Sequence, residues 1–262
     1  MRIFVLTKNK MMVLGLTLFL AASILMLQTN YAKEVFQYAN EKREVPIYNV
    51  KRDDNKIAIS FDAAWGNEDT GQIISILEKY KIKTTFFIVG EWADRYPESV
   101  KALSEAGHEI MNHSNQHPHM SKLSKEDMIK ELSACSDKIE KITGRRPDLF
   151  RAPYGDYNSE LISLCRENGY QTIQWDVDSL DWKGLSAEKI VERVTKDTKS
   201  GSIILFHNAA ENTPAALPSI IEKLQENGFL IVPVSELIYH EDYQMDPNGT
   251  QIPLTIETSV LD

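Results

Sequence analysis

His113 and His117 lie four residues apart, so one turn of chain can present both imidazoles the same way, and paired imidazoles suit zinc or a similar divalent ion. They belong to one of five short clusters: Phe61-Asp62-Ala63, His113-Ser114-Asn115-Gln116-His117, Arg151-Ala152-Pro153-Tyr154, Asp178-Ser179-Leu180-Asp181-Trp182 and Leu205-Phe206-His207. Each cluster holds a group that binds a metal, moves a proton or shapes a small pocket, which together is the chemistry of hydrolysis. Asp62 closes the apolar run 57–61, where a carboxylate is costly to desolvate without a partner. Arg151 is the matching partner, because a guanidinium can orient that carboxylate and keep it ionised. Asp181 could accept a hydrogen bond from the ring of His207, fixing its tautomer and raising its basicity. Read one at a time, these residues have plainer roles: surface histidines, an ion pair in a barrel mouth, rim packing for Trp182 and Leu205. His119 adds little, and His108 and His240 read as structural. Recurrence at successive strand ends is what favours a shared site.

The elements that must position these groups emerge from the apolar pattern. Short apolar runs at 57–62, 84–89, 108–112, 148–152, 171–177, 202–207 and 229–233 read as strands. Helical periodicity occupies 68–80, 97–106, 124–143, 157–168, 186–199 and 214–227, with Ser124 and Ser186 as N-caps and Gly107, Gly144, Gly169 and Gly228 as stops. Alternation of this kind implies an α/β fold with a parallel sheet. Asp62, His113, Arg151, Asp178 and His207 all end expected strands, which favours a seven-stranded barrel, since an open sheet gathers ligands at one switch point. No glycine-rich phosphate loop is present.

With 262 residues and 42% apolar content, the chain can bury one sizeable core. A net charge of −9 without a Lys/Arg block argues against a nucleic-acid partner, which needs clustered cations. Arg2, Lys8 and Lys10 precede an uncharged stretch from Met11 to Leu27. As a helix it reaches roughly 25 Å, enough for a short membrane anchor or a long signal peptide. The positive flank places the chain beyond Leu27 outside the cytoplasm, tethered to the outer face of the membrane, or secreted if the segment is cleaved. Residues 1–32 are thus read as a stub and anchor, 33–53 as a linker, 54–240 as the catalytic domain and 241–262 as a polar, loosely ordered tail. Cys135, on a stripe with Ile129, Leu132, Ile139 and Ile142, and Cys165, beside Leu161 and Leu164, read as buried thiols, with a disulfide left open.

In this order and at these intervals, the five clusters resemble the five motifs of the polysaccharide deacetylase family, also called the NodB-homology domain. The resemblance spans about residues 54–240 and implies a distorted seven-stranded (β/α) barrel that removes acetyl groups from amino-sugar polymers such as peptidoglycan or chitin. It implies a divalent metal, zinc or a similar ion, held by His113 and His117, with Asp62 as base and Arg151 as its partner. It also implies His207, oriented by Asp181, as the acid, the Tyr154 N–H as an oxyanion donor, and Trp182 and Leu205 around the acetyl methyl. One position departs from the pattern. The family's first motif is usually Thr-Phe-Asp-Asp-Gly, whose second aspartate completes the metal triad, whereas Ser60-Phe61-Asp62-Ala63-Ala64-Trp65-Gly66 carries Ala63 there. Asp62 could shift to become a ligand, or Asn67, Glu68 or Asp69 could reach in. The Phe-Asp-x-x-Trp-Gly form is similar to a sporulation-associated, PdaB-type branch of the family. A glycan-binding relative with impaired catalysis is the alternative reading, and Ala63 is its support.

Overall fold

The computed structural model describes residues 44–254 and, before them, Met26 alone. The expected stub and anchor (1–32), except Met26, residues 33–43 of the linker and residues 255–262 lie outside the described residues. Among the described residues no helix is long and apolar enough to cross a membrane. The chain divides into two units, 1–43 and 44–262, and the second carries the fold.

Its strands are β1 (Asn49–Val50), β2 (Lys56–Ala63), β3 (Thr85–Ile88), β4 (Glu109–Asn112), β5 (Leu149–Phe150), β6 (Gln171–Thr172), β7 (Val177–Asp178), β8 (Ile203–His207), β9 (Leu230–Ile231), β10 (Tyr243–Met245) and β11 (Thr250–Pro253). Its helices are α1 (Thr70–Lys79), α2 (Gly90–Arg95), α3 (Pro97–Glu105), α4 (Lys125–Thr143), α5 (Ser159–Glu167), α6 (Ala187–Asp197), α7 (Thr213–Glu226) and α8 (Val234–Leu237). Every helix expected from periodicity is present within a few residues; α2 escapes a sequence reading because six residues give too little periodicity. Ser124 caps α4 by accepting the Asp127 N–H, and Gly144 ends it in the left-handed region. Ser186 stands at the start of α6, but its side chain makes no cap bond. The buried stripe of α4 runs through Met128, Leu132, Cys135 and Ile139, leaving Ile129 exposed, one position off the expected stripe. Cys135 and Cys165 are both free, buried thiols.

The main sheet is parallel, in the order β6-β5-β4-β3-β2-β8-β7, with β9 paired to the start of β2. The seven-stranded barrel expected from the sequence is therefore a curled parallel sheet and not a ring of continuous ladders. The reason lies in the segment expected as one strand, 171–177. Its first part pairs with β5 and its last with β8. Between them Gln174 donates to the carbonyl of Ile47, and the Asp176 carboxylate takes the Ile203 N–H and the Ser202 hydroxyl. Consecutive pieces of one extended segment thus form the two ends of the sheet.

Strand periodicity sorts the side chains. In β2, Ile57, Ile59, Phe61 and Ala63 join the apolar layer shared with the helices, while Ala58 joins the inner cluster that contains Phe87, Met111, Leu149 and Ile203. Ser60 and Asp62 follow Ala58 on the inner side. The same rule turns Met111 and His113, Leu149 and Arg151, and Ile203, Leu205 and His207 inward.

Two expected boundaries move. Residues 47–50, assigned to a linker, pack on the domain: Ile47 and Val50 are buried, and β1 pairs with β11. The tail expected to be loose carries β10 and β11, which complete a three-stranded sheet with β1. Short runs hid them, because pairing with distant residues and burial of a few side chains such as Ile47 and Val50 order this small sheet together. Gly201, at φ +83, is the contact point: a Cβ there would overlap the Val50 carbonyl oxygen. Gly201→Ala should cost at least about 2 kcal/mol in urea unfolding. Gly144→Ala, where nothing lies within 4 Å of the added Cβ, should cost about 1 kcal/mol.

Candidate active site

The site is built where β2, β4, β5 and β8 end. Asp62 and His207 are paired residues across the β2–β8 ladder, so both project inward from adjacent strands about 5 Å apart. Arg151 follows the last residue of β5, and its backbone N–H is bonded to Asn112 at the end of β4. His113 comes one residue after Asn112.

Arg151 is fully buried. Its Nη1 donates to Asp62 Oδ1 at 2.7 Å, and its Nη2 donates to Ser60 Oγ at 2.9 Å and to the Gln174 carbonyl at 3.2 Å. The guanidinium lies 4.0 Å from the centroid of the Phe87 ring. Burial by itself would raise the Asp62 carboxyl, but the charge of Arg151 and its hydrogen bond hold it below the usual carboxylate range. The expected Asp62–Arg151 pair is therefore present, and the guanidinium favours the ionised carboxylate.

His113 Nδ1 lies 2.8 Å from the Arg151 carbonyl oxygen. A carbonyl only accepts, so Nδ1 carries the proton and Nε2 presents a lone pair. That lone pair faces Asp62 Oδ2 at 3.5 Å. Burial keeps His113 neutral by lowering its pKa, and burial together with the neighbouring His113 lowers His117 to about 4. The two rings stand 5.0 Å apart at 70°. Two electron-pair acceptors facing one another favour a cation between them, and neutral imidazoles are the metal-binding form. By donor type, His113 and His117 are the two residues that would hold a divalent ion. They do not make the closed cage of the family pattern: among the described residues no group of three or more His, Cys, Asp and Glu side chains is arranged to hold an ion. Ala63 lies in the helix-side layer. The other candidates for its place make bonds of their own, although one buried oxygen of Asp69 has no partner among the described residues. Asn67 donates to Ser99, Glu68 accepts the Asn67 N–H, and Asp69 accepts the Ala209 N–H.

On the opposite side His207 Nδ1 lies 2.8 Å from Asp181 Oδ1. Asp181 is buried and also accepts the His207 and Trp182 N–H groups and the Thr213 hydroxyl. Burial opposes charge on His207, but the Asp181 hydrogen bond and charge outweigh it, and the pKa is raised. Asp178 anchors the preceding turn by accepting the Leu180 N–H. Leu205 is buried on the inner face, whereas Trp182 is half exposed, with the Lys183 ammonium over its ring. Tyr154 sits at φ +60, and its N–H donates to no protein oxygen among the described residues. Ser114, His117, Leu180 and Ala209 share that left-handed conformation. Non-glycine residues rarely adopt it, and five of them collect in the loops of this site. His108 and His240 lie elsewhere, bonded to the Thr84 N–H and the Ser235 carbonyl.

Sequence reasoning missed several supports. Glu131, on α4, accepts both the Asn115 and Gln116 N–H groups on one oxygen at 2.8 Å and so clamps the histidine loop. Ser60 and Thr213 brace Arg151 and Asp181. Only Ser60, two residues before Asp62 on the same strand face, left a readable signal. His119, to which the sequence gives little weight, stacks on Tyr154 at 4.4 Å and 24°.

The family profile described as polysaccharide deacetylase matches residues 49–173. The peptidoglycan-N-acetylmuramic acid deacetylase PdaC of Bacillus subtilis (strain 168) is 39% identical over 181 residues, covering 69% of this chain and 38% of that protein. A peptidoglycan-N-acetylglucosamine deacetylase of Bacillus cereus is 36% identical over 199 residues, covering 74% of this chain and 93% of that protein. Among solved structures, wild-type BA3943 of Bacillus anthracis, described as a CE4 family pseudoenzyme, superposes with a TM-score of 0.72 at 32% identity, covering 74% of this chain and 68% of that one. A BA3943 mutant described as having restored enzymatic activity superposes with a TM-score of 0.72 at 33% identity. This chain belongs to the polysaccharide deacetylase family.

The geometry has two measurable outcomes. A raised His207 pKa means that its contact with Asp181 stabilises the fold fully below about 6.5, the unfolded value, and that this support fades as pH climbs through the folded value. His207→Gln should therefore lose most stability near about pH 5 and least near about pH 9, read as urea midpoints. Glu131→Ala should cost about 2 kcal/mol in the same assay, with Glu131→Gln recovering part of it because an amide oxygen still accepts.

Proposed function

We propose that this chain removes N-acetyl groups from amino-sugar polymers, with peptidoglycan as the foremost substrate. The observation that carries this reading is the paired arrangement of a carboxylate held ionised, Asp62 on Arg151, and an imidazole whose protonated form Asp181 favours, His207, on neighbouring strands. A pure binding surface has no use for two oppositely tuned proton carriers. The names of the PdaC and Bacillus cereus relatives support the substrate class.

In this reading Asp62 Oδ2 takes the proton from the attacking water, and the neighbouring Arg151 keeps it able to do so. His207 then gives a proton to the departing amine nitrogen, with Asp181 fixing the tautomer through Nδ1. The Tyr154 N–H meets the negative charge that grows on the acetyl oxygen. Leu205 and Trp182 border the methyl group. A divalent ion of the zinc type, held by His113 Nε2 and His117, would supply Lewis acidity at the carbonyl and the water. The expected placement at the outer face of the membrane, or outside the cell, puts the site where peptidoglycan lies, and a part in the spore envelope belongs to the same proposal.

A second reading has its own observation. Ala63 leaves the ion-binding set one carboxylate short, and the chain is similar to a protein described as a pseudoenzyme. Acetate release from peptidoglycan and chitin oligomers by the full chain separates the two. Under the first reading release occurs, and Asp62→Asn and His207→Ala each lower it by about 10²–10⁴. Glycan binding with no acetate from the wild type assigns the chain to the second.

A further inference from the structure

Trp65 stands three residues after the base Asp62, and its indole is half exposed. It is not a loose surface residue. The next residue, Gly66, offers its carbonyl to both Trp92 Nε1 and Asn208 Nδ2, and Asp69 ties the same loop to Ala209. The indole is therefore presented by a fixed loop, edge-on to His117 at 5.7 Å and 81°. His117 also packs against Tyr154, 61% exposed, with ring centroids 4.4 Å apart. Tyr154 in turn stacks on His119, whose Nδ1 lies 3.3 Å from Asp156, a carboxylate braced by Ser121. Four rings thus succeed one another along the rim, and the imidazole at the reacting centre separates the two largest exposed ones.

Resting on the deacetylase reading, we propose that Trp65, joined through His117 to the Tyr154–His119 stack, holds the pyranose ring adjacent to the reacting sugar, so that the site prefers a polymer over a single residue. A pyranose has C–H faces that match aromatic faces and a hydroxyl rim that suits Asp156 and Glu68. A lipid surface would need a continuous apolar patch, and here the polar imidazole of His117 interrupts it. A sugar held by Trp65 beside His117 also aligns the acetamide between Asp62 and His207, since anchoring the chain on the remote sugar fixes the reacting one.

The test is binding, by calorimetry and indole fluorescence, of the full chain to a chitin hexamer, a soluble peptidoglycan glycan fragment and N-acetylglucosamine alone. Trp65→Ala should lower the ratio of oligomer to monomer affinity by about ten-fold, and Trp65→Phe should retain most of it. Oligomer binding should also quench wild-type indole emission more than Trp65→Phe emission. An unchanged affinity ratio in Trp65→Ala overturns the assignment while leaving the deacetylase reading intact. Failure of the wild type to bind any of the three glycans removes the reading along with it. Urea unfolding of Trp65→Ala, expected near wild type because the indole is exposed, guards against loss of fold.

Discussion

A guanidinium buried inside the curled sheet is the constraint on which this site depends. Isolated, the Arg151 cation would be intolerable there; it is held by Asp62, Ser60, the Gln174 carbonyl and the face of Phe87. Its consequences run in two directions. Through the side chain it keeps Asp62 ionised despite burial. Through the backbone its carbonyl receives the His113 Nδ1 proton and so aims the Nε2 lone pair at Asp62. One residue therefore sets the charge of Asp62 and the tautomer of His113. A lysine could supply the charge without the planar fork that reaches Asp62 and Ser60 together.

His207 is held by the opposite logic. Asp181 is buried with both oxygens engaged, by the His207 ring, two backbone N–H groups and Thr213. It raises His207 where Arg151 lowers Asp62, and the two act on neighbouring strands. Environments that push adjacent groups apart in this way let one remove a proton while the other delivers one. The left-handed residues in the surrounding loops are consistent with that division: backbone strain there is sustained by side-chain clamps such as Glu131 on the histidine loop and Asp69 on the loop after His207.

Much of this was legible in the sequence because strand alternation and burial cost are local rules. The run ending at Asp62 announced both a strand and a carboxylate in need of a cation, and Arg151 supplied it. The pairing of Asp181 with His207 could be read from residue type and order. What stayed hidden depends on distant pairing. Residues 47–50 and 243–253 are ordered by one another, with no apolar run to betray them. The segment 171–177 read as one strand because nothing local says that Asp176 will replace a backbone acceptor. Glu131 looked like any helix-surface acid, and its role exists only once α4 lies beside the histidine loop.

Ala63 is where strand geometry and site chemistry meet. Alternation along β2 places its side chain with Phe61 in the layer under the helices, while Asp62 faces inward. The chain therefore has one inward carboxylate at this strand end, already committed to Arg151 through one oxygen and turned toward His113 with the other. An ion held by two neutral imidazoles beside that oxygen has less negative charge around it than one held with a second carboxylate. Less compensation means weaker retention, yet it leaves more of the ion's charge to act on a carbonyl or a water. With Ala63 at this position a divalent ion would be retained less firmly and would act as a stronger Lewis acid, so the balance between the two readings turns on how firmly His113 and His117 are held by the Arg151 carbonyl, the Ser114 hydroxyl and Glu131.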